Sequence, residues 1–168
     1  MTTVTLRNLA PFPILMGRDA GCEFEPFDLA APTGEFIAWH RSSCANSCES
    51  IVSGDCIFCG ACAGSTFLRL DTGAAYEIEW PQTRVDSMPV PTDCANACEP
   101  TCGHVSAVEG GEYTFTAFVQ GACEDDACLC PPGESACLVT LEDPQFPDTV
   151  SFTTTSVLPA DAIEIVFE

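Results

Sequence analysis

The sequence predicts an all-β protein, an antiparallel β-sandwich with disulfide-rich loops. Three observations predict it. Apolar and polar residues alternate with a period of two through most of the chain. Thirteen Pro and twelve Gly punctuate the alternating runs. No stretch keeps apolar residues at helical spacing over three turns. A length of 168 residues fits one domain, 1–168, with enough chain to bury a core.

The strands follow in order. Val4 and Leu6 alternate with Thr3, Thr5 and Arg7 until Ala10-Pro11 breaks the run. Pro13 to Met16 is a short apolar strand ended by Gly17, and Glu23 to Leu29 alternates again. Gly34 to Trp39 and Phe67 to Leu70 are compact strands. Ala75 to Trp80 places Tyr76, Ile78 and Trp80 on one face and Glu77 and Glu79 on the other. Tyr113, Phe115, Ala117 and Val119 alternate with Thr114, Thr116, Phe118 and Gln120. Ala136 to Leu141, Val150 to Ser156 and Ile163 to Phe167 complete eight to ten strands separated by turn signals.

Thirteen cysteines dominate the chemistry. Cys44, Cys48, Cys56, Cys59 and Cys62 fall in one inter-strand segment, 44–62. Cys94, Cys98 and Cys102 fall in a second, 94–102, and Cys123, Cys128, Cys130 and Cys137 in a third, 123–137; Cys22 stands apart. "SSCANSCE" and "TDCANACE" nearly repeat, which we read as two similar loops meeting at one end of a sandwich. Such density is rare in a reducing cytosol unless metals hold the thiols. Twelve cysteines are expected to form six bridges and one is left over, free, paired between chains, or once joined to something now absent. A Cys123–Cys137 bridge is expected to staple the base of the hairpin that starts at Tyr113. Thiolate metal binding is the alternative, for zinc, copper or an iron–sulfur cluster, with Cys56, Cys59, Cys62, Cys94 and Cys98 as candidate ligands. "CIFCGAC" resembles a ferredoxin cluster loop. The fourth position of that motif, however, falls on Thr66, followed by Phe67.

Other motifs carry less. "LDTGA" matches the aspartic-protease text, but that chemistry needs two carboxylates sharing a proton and the chain has one copy. Asp71-Thr72-Gly73 also reads as a strand turn with Gly in the left-handed region. His40 reads as a strand-end residue and His104 as a loop residue, so no Ser/His/Asp or Cys/His site is indicated. "CEDDAC" lacks calcium-loop spacing.

The formal net charge is −20, with 25 acidic residues against five basic ones, all Arg. Such a surface repels nucleic acid and anionic membranes and attracts cations or basic partners. The absence of Lys excludes Lys-nucleophile or Schiff-base catalysis. No run of 18 apolar residues is present. No signal segment is visible, and we expect Met1 to be an internal start or the trimmed edge of a mature protein.

"EGGEYTFTAFV" sets Tyr113 at a strand start after Gly110-Gly111, two residues before Phe115. This resembles the tyrosine corner of immunoglobulin-like domains, whose hydroxyl bonds back to the preceding loop. An ordinary strand tyrosine is the other reading. Over its full length the chain is similar to uncharacterised Cys-rich secreted proteins and lipoproteins of myxobacterial type. The residues that carry this are "TVTLRNLAPFPI", "STFLRLDTGAAYEIEW", "GEYTFTAFV", "CLC" and "AIEIVFE". The resemblance implies an immunoglobulin-like β-sandwich, secreted or at a bacterial cell surface, with no catalytic residue and no cofactor. The expected function is a non-enzymatic, disulfide-stapled structural, surface or binding module for a protein or surface partner. A protease inhibitor presenting a braced loop such as Asp125 to Ser135 is a further reading.

Overall fold

The computed structural model describes residues 1–17, 24–39, 46–54, 64–90, 101–120, 128–142 and 149–168. Among them the chain is all-β, with twelve strands and one short helix. Strand β1 (Thr2–Asn8) lies between β6 (Ala75–Trp80) and β12 (Ala162–Phe167) in a three-stranded sheet. The large sheet runs β10 (Ala136–Leu141), β5 (Ser65–Leu70), β2 (Ile14–Met16) and β9 (Gly111–Gln120), then β3 (Asp28–Ala30) and β4 (Phe36–Ile37). Strand β11 (Thr149–Leu158) pairs with β9 along all ten residues. Strands β7 (Thr83–Pro89) and β8 (Thr101–Ala107) form a separate two-stranded sheet. Helix α1 (Cys48–Ser53) sits in the first Cys-rich segment.

The alternation places the core as expected. Val4, Leu6, Trp80, Ile163, Ile165 and Phe167 from the small sheet meet Ile14, Met16, Leu29, Leu68, Leu70, Tyr113, Phe115 and Ala117 from the large one. Trp80 and Phe115 cross the interface edge-to-face, with ring centroids 5.9 Å apart. Phe27 packs on Phe115 at 5.4 Å and stacks on Trp39 at 4.4 Å. Phe152 of β11 meets Phe167 of β12 at 5.0 Å. Such ring pairs add about 0.5–1.5 kcal/mol each beyond the area they bury. The outer face of the large sheet carries a second, smaller cluster of Leu15, Phe67, Cys137 and Val139.

Several expectations are corrected. β1 and β12 run parallel, Thr3 opposite Ala162 through Asn8 opposite Phe167, so the sheets are not purely antiparallel. The chain leaves β11 in one layer and enters β12 in the other, and that crossing sets the direction in which β12 meets β1. Strands β7 and β8 carry no clean alternation because most of their residues are exposed or half-buried, and the sequence pattern did not mark them. Glu23 to Leu29 and Gly34 to Trp39 form only β3 and β4 within the described residues. Helix α1 is too short for a three-turn pattern.

Buried polar groups hold the strand ends. Asn8 is fully buried; its Nδ2 donates to the carbonyls of Phe12 and Leu70, each at 3.0 Å, and its Oδ1 accepts from the Ala10 amide at 2.9 Å. One side chain thus ties the end of β1 to the following loop and to β5. Gln82 takes the left-handed conformation, φ 57°, and its Nε2 donates to Thr2 Oγ1 and to the Ala160 carbonyl. Gly64 admits no side chain, since a Cβ there would lie 2.5 Å from the Leu141 carbonyl oxygen.

Removing Asn8 strands the Ala10 amide and the Leu70 carbonyl in the interior and frees the part-buried Phe12 carbonyl. We expect Asn8→Ala to cost about 2–4 kcal/mol in urea unfolding, while Thr5→Ala on the half-buried outer face stays within about 0.5 kcal/mol. Equal, small effects of both substitutions would contradict this role for Asn8.

Candidate functional site

The described cysteines gather chemistry at two places. The first is the meeting of α1 with β8. Ser47 caps α1, its Oγ accepting from the Ser50 amide at 3.0 Å, and Gly54 ends the helix in the left-handed region at φ 82°. Ile51 anchors the helix inward. The Gly103 amide donates to the Asn46 carbonyl at 2.9 Å, and a Cys48–Cys102 disulfide, Cα atoms 4.9 Å apart, locks α1 to β8. The first "CANSC" loop therefore meets the strand that follows the second, "CANAC". Cys94 and Cys98 of that second loop lie outside the described residues.

Beside this bridge, Ser47, Cys48, Glu49, Gly103, His104 and Val105 line a cleft of about 170 Å³. His104 is a strand residue opposite Asp86, not a loop residue. The pattern hid this, because β8 lacks an apolar stripe. Ser47 Oγ is engaged in the helix cap and with Ser50. Along β7, Arg84 Nε donates to Asp86 Oδ1 at 2.8 Å, and from β8 Ser106 Oγ donates to Asp86 Oδ2 at 3.0 Å.

The second place is the outer face of the large sheet. Cys130 and Cys137 are bridged, Cα atoms 5.6 Å apart. Cys137 therefore does not pair with Cys123. The seven-residue separation brings Cys130 back to the start of β10 through a tight turn, closer to hand than the end of β9. In that turn Pro131-Pro132-Gly133-Glu134, the Glu134 amide donates to the Pro131 carbonyl at 3.0 Å and Gly133 has φ 92°. These are the marks of a type II turn, with Pro at its second position and Gly at its third. Arg69 fastens this ring to the sheet: Nη1 donates to the Cys128 carbonyl at 2.9 Å and Nε to Asp71 Oδ1 at 3.0 Å. Cys128 is disulfide-bonded as well.

The remaining sequence candidates separate cleanly. Asp71-Thr72-Gly73 is a turn joining β5 of one sheet to β6 of the other, with Gly73 at φ 79° and the Asp71 carboxylate held by Arg69. Tyr113 makes the hydrogen bond expected of a tyrosine corner, its hydroxyl donating to the Glu109 carbonyl at 2.9 Å. Cys22, Cys44, Cys56, Cys59, Cys62, Cys94, Cys98, Cys123, His40 and Asp125 lie outside the described residues. Among the described residues no group of three or more His, Cys, Asp or Glu is placed to hold a metal ion. Nor is any helix among the described residues long and apolar enough to cross a membrane. Sequence reasoning missed the Arg69 clamp; its one legible signal was an Arg amid the apolar run of β5.

No protein family, no curated protein and no solved structure matches the chain. What the geometry defines is a class: an all-β, disulfide-bonded protein, whose bridges fit an oxidising compartment.

The Arg84 guanidinium, by its hydrogen bond first, holds the Asp86 carboxyl below the usual Asp range, and Asp86 in turn raises Arg84. A depressed carboxyl pKa contributes stability above its unfolded value, and loses it as pH falls through the folded one. With side chains 32% and 34% exposed, solvent screens most of the gain. Titrated by NMR, Asp86 is expected to have a midpoint below that of free Asp, and Arg84→Gln to move it upward. An identical midpoint in both proteins would contradict the pairing.

Proposed function

We propose that this chain is a non-enzymatic, extracytoplasmic binding module, secreted or displayed at a bacterial surface, whose immunoglobulin-like β-sandwich carries disulfide-fastened peripheral segments. One observation carries the reading: every described cysteine, Cys48, Cys102, Cys128, Cys130 and Cys137, is disulfide-bonded. Bonds of this kind persist in oxidising compartments. The Tyr113 hydroxyl on the Glu109 carbonyl supports the immunoglobulin-like part. The bridges fasten a helix and a turn to the sheets, which is what presenting a fixed surface to a partner requires.

Thiol-metal binding is the competing function, and alkylation separates the two. Thirteen cysteines allow six bridges with one left over, and each bridge removes two hydrogens. Denatured without reductant, the protein is expected to run twelve hydrogens light in mass and to accept at most one alkyl group. Cys48, Cys102, Cys128, Cys130 and Cys137 should stay unlabelled. Twelve or thirteen reactive thiols would overturn the proposal, and a bound metal in the same sample would favour the alternative.

A further inference from the structure

Among the described residues, strand β11 is the longest sheet edge with no strand paired on its second side. Among the described residues, β9 is its one pairing partner in a sheet, along Thr149 to Leu158. Its other edge therefore carries a row of backbone amides and carbonyls that no described strand pairs. Natural proteins guard such edges with charge, Pro, bulges or brevity. β11 has none of these. "TVSFTTTSVL" contains no charged residue and no Pro in a chain that is 18% charged, and it pairs with β9 without a bulge. Other edges differ: β6 carries Glu77 and Glu79, β12 carries Glu164, β7 carries Arg84 and Asp86, β4 is two residues long, and uncharged β8 is met by Ser47 at Gly103 and tied by the Cys102 bridge. β10 is also uncharged but only six residues long, and it holds the Cys137 bridge.

The side chains of β11 suit strand addition. Val150 is 54% and Val157 65% exposed, and Thr153 and Thr155 stand opposite Thr116 and Thr114 of β9. Thr153, Thr155 and Val157 thus make an exposed β-branched run on one face, with Val150 exposed on the other face near the strand's start, the composition that packs against a neighbouring strand. Charge selects the partner. Phe152 on Phe167 places β11 beside β12. Around them stand exposed Glu112, opposite Val157, with Asp161, Glu164 and Glu168 along β12 and its approach. Arg7 balances Glu164 alone, at 2.6 Å. A second copy would bring another net charge of −20 to this flank. A basic segment would be drawn to it.

We propose that the free edge of β11 binds an extended, positively charged segment of a partner protein by β-strand addition. This deepens the binding-module reading and rests on it.

The test uses the full oxidised chain and a synthetic peptide of about ten residues, alternating Thr and Val with Lys at both ends, long enough to pair along β11. Binding is expected to slow amide exchange in β11 and to weaken as salt rises. Val157→Lys and Val150→Lys, both at exposed positions, should each weaken it by roughly tenfold, through like-charge repulsion at the edge. A peptide of equal charge with Pro at alternate positions cannot donate a strand ladder and should bind far less. The proposal is overturned if the Pro peptide binds equally well, if the Lys substitutions change nothing, or if sedimentation shows β11 occupied by a second copy of the chain. Loss of peptide binding with all bridges intact rejects this site alone; free thiols reject the module reading itself.

Discussion

The contact between Trp80 and Phe115 is the interaction on which the rest of the architecture depends. Trp80 ends β6 in the small sheet, and Phe115 sits mid-strand in β9 of the large one. Both are fully buried. Among the described residues the two sheets hide their apolar faces against each other, so each stabilises the other as its cover. From this pair the packing spreads outward. Phe27 continues it to Trp39, whose indole Nε1 donates to the Phe27 carbonyl at 2.8 Å and so ties the chain leaving β4 to the residue before β3. The Trp80 indole donates to the Thr83 carbonyl at 3.1 Å, which aims the chain out of the core and into β7. The aromatic pin therefore also sets where the β7–β8 hairpin departs.

The two described disulfides act at a different level. Cys48–Cys102 joins α1 to β8, and Cys130–Cys137 closes a turn on the outer face of the large sheet. Neither spans the interface between the two sheets. The apolar core and the buried polar anchors, Asn8 above all, hold the sheets; these two bridges hold what the sheets carry. A strongly acidic protein benefits from this division. Self-repulsion at a net charge of −20 strains the periphery first, where few apolar contacts resist it, and covalent ties there do not depend on pH or salt.

Where burial alternated, the sequence was legible. Tyr113, Phe115, Ala117 and Val119 fall inward as their spacing requires, and Val4 with Leu6 and Ile78 with Trp80 do the same. Tyr113 beside Gly110-Gly111 was readable because a corner needs a specific chemistry at a specific offset. Where structure comes from long-range pairing on an exposed surface, the text was silent. β7 and β8 are defined by each other and by one disulfide, and Asp86 facing His104 leaves no periodic trace. The parallel pairing of β1 with β12 depends on how the chain crosses between layers, which composition does not encode. Cys137 shows the limit most plainly. Its partner is set by a turn that Pro132 and Gly133 make, and counting cysteines from strand ends pointed to Cys123 instead.

The central claim is that the two sheets hold together through their shared apolar core, while the Cys48–Cys102 and Cys130–Cys137 bridges fasten the periphery. Amide hydrogen exchange on the oxidised and the fully reduced protein tests it most directly, because it reports stability element by element. The account predicts that reduction removes protection from α1, from β7 and β8, and from the turn between Cys130 and Cys137, while β1, β9, β11 and β12 keep theirs. Loss of protection in β1 and β9 together with the hairpin on reduction would contradict it and make the disulfides the foundation of the fold.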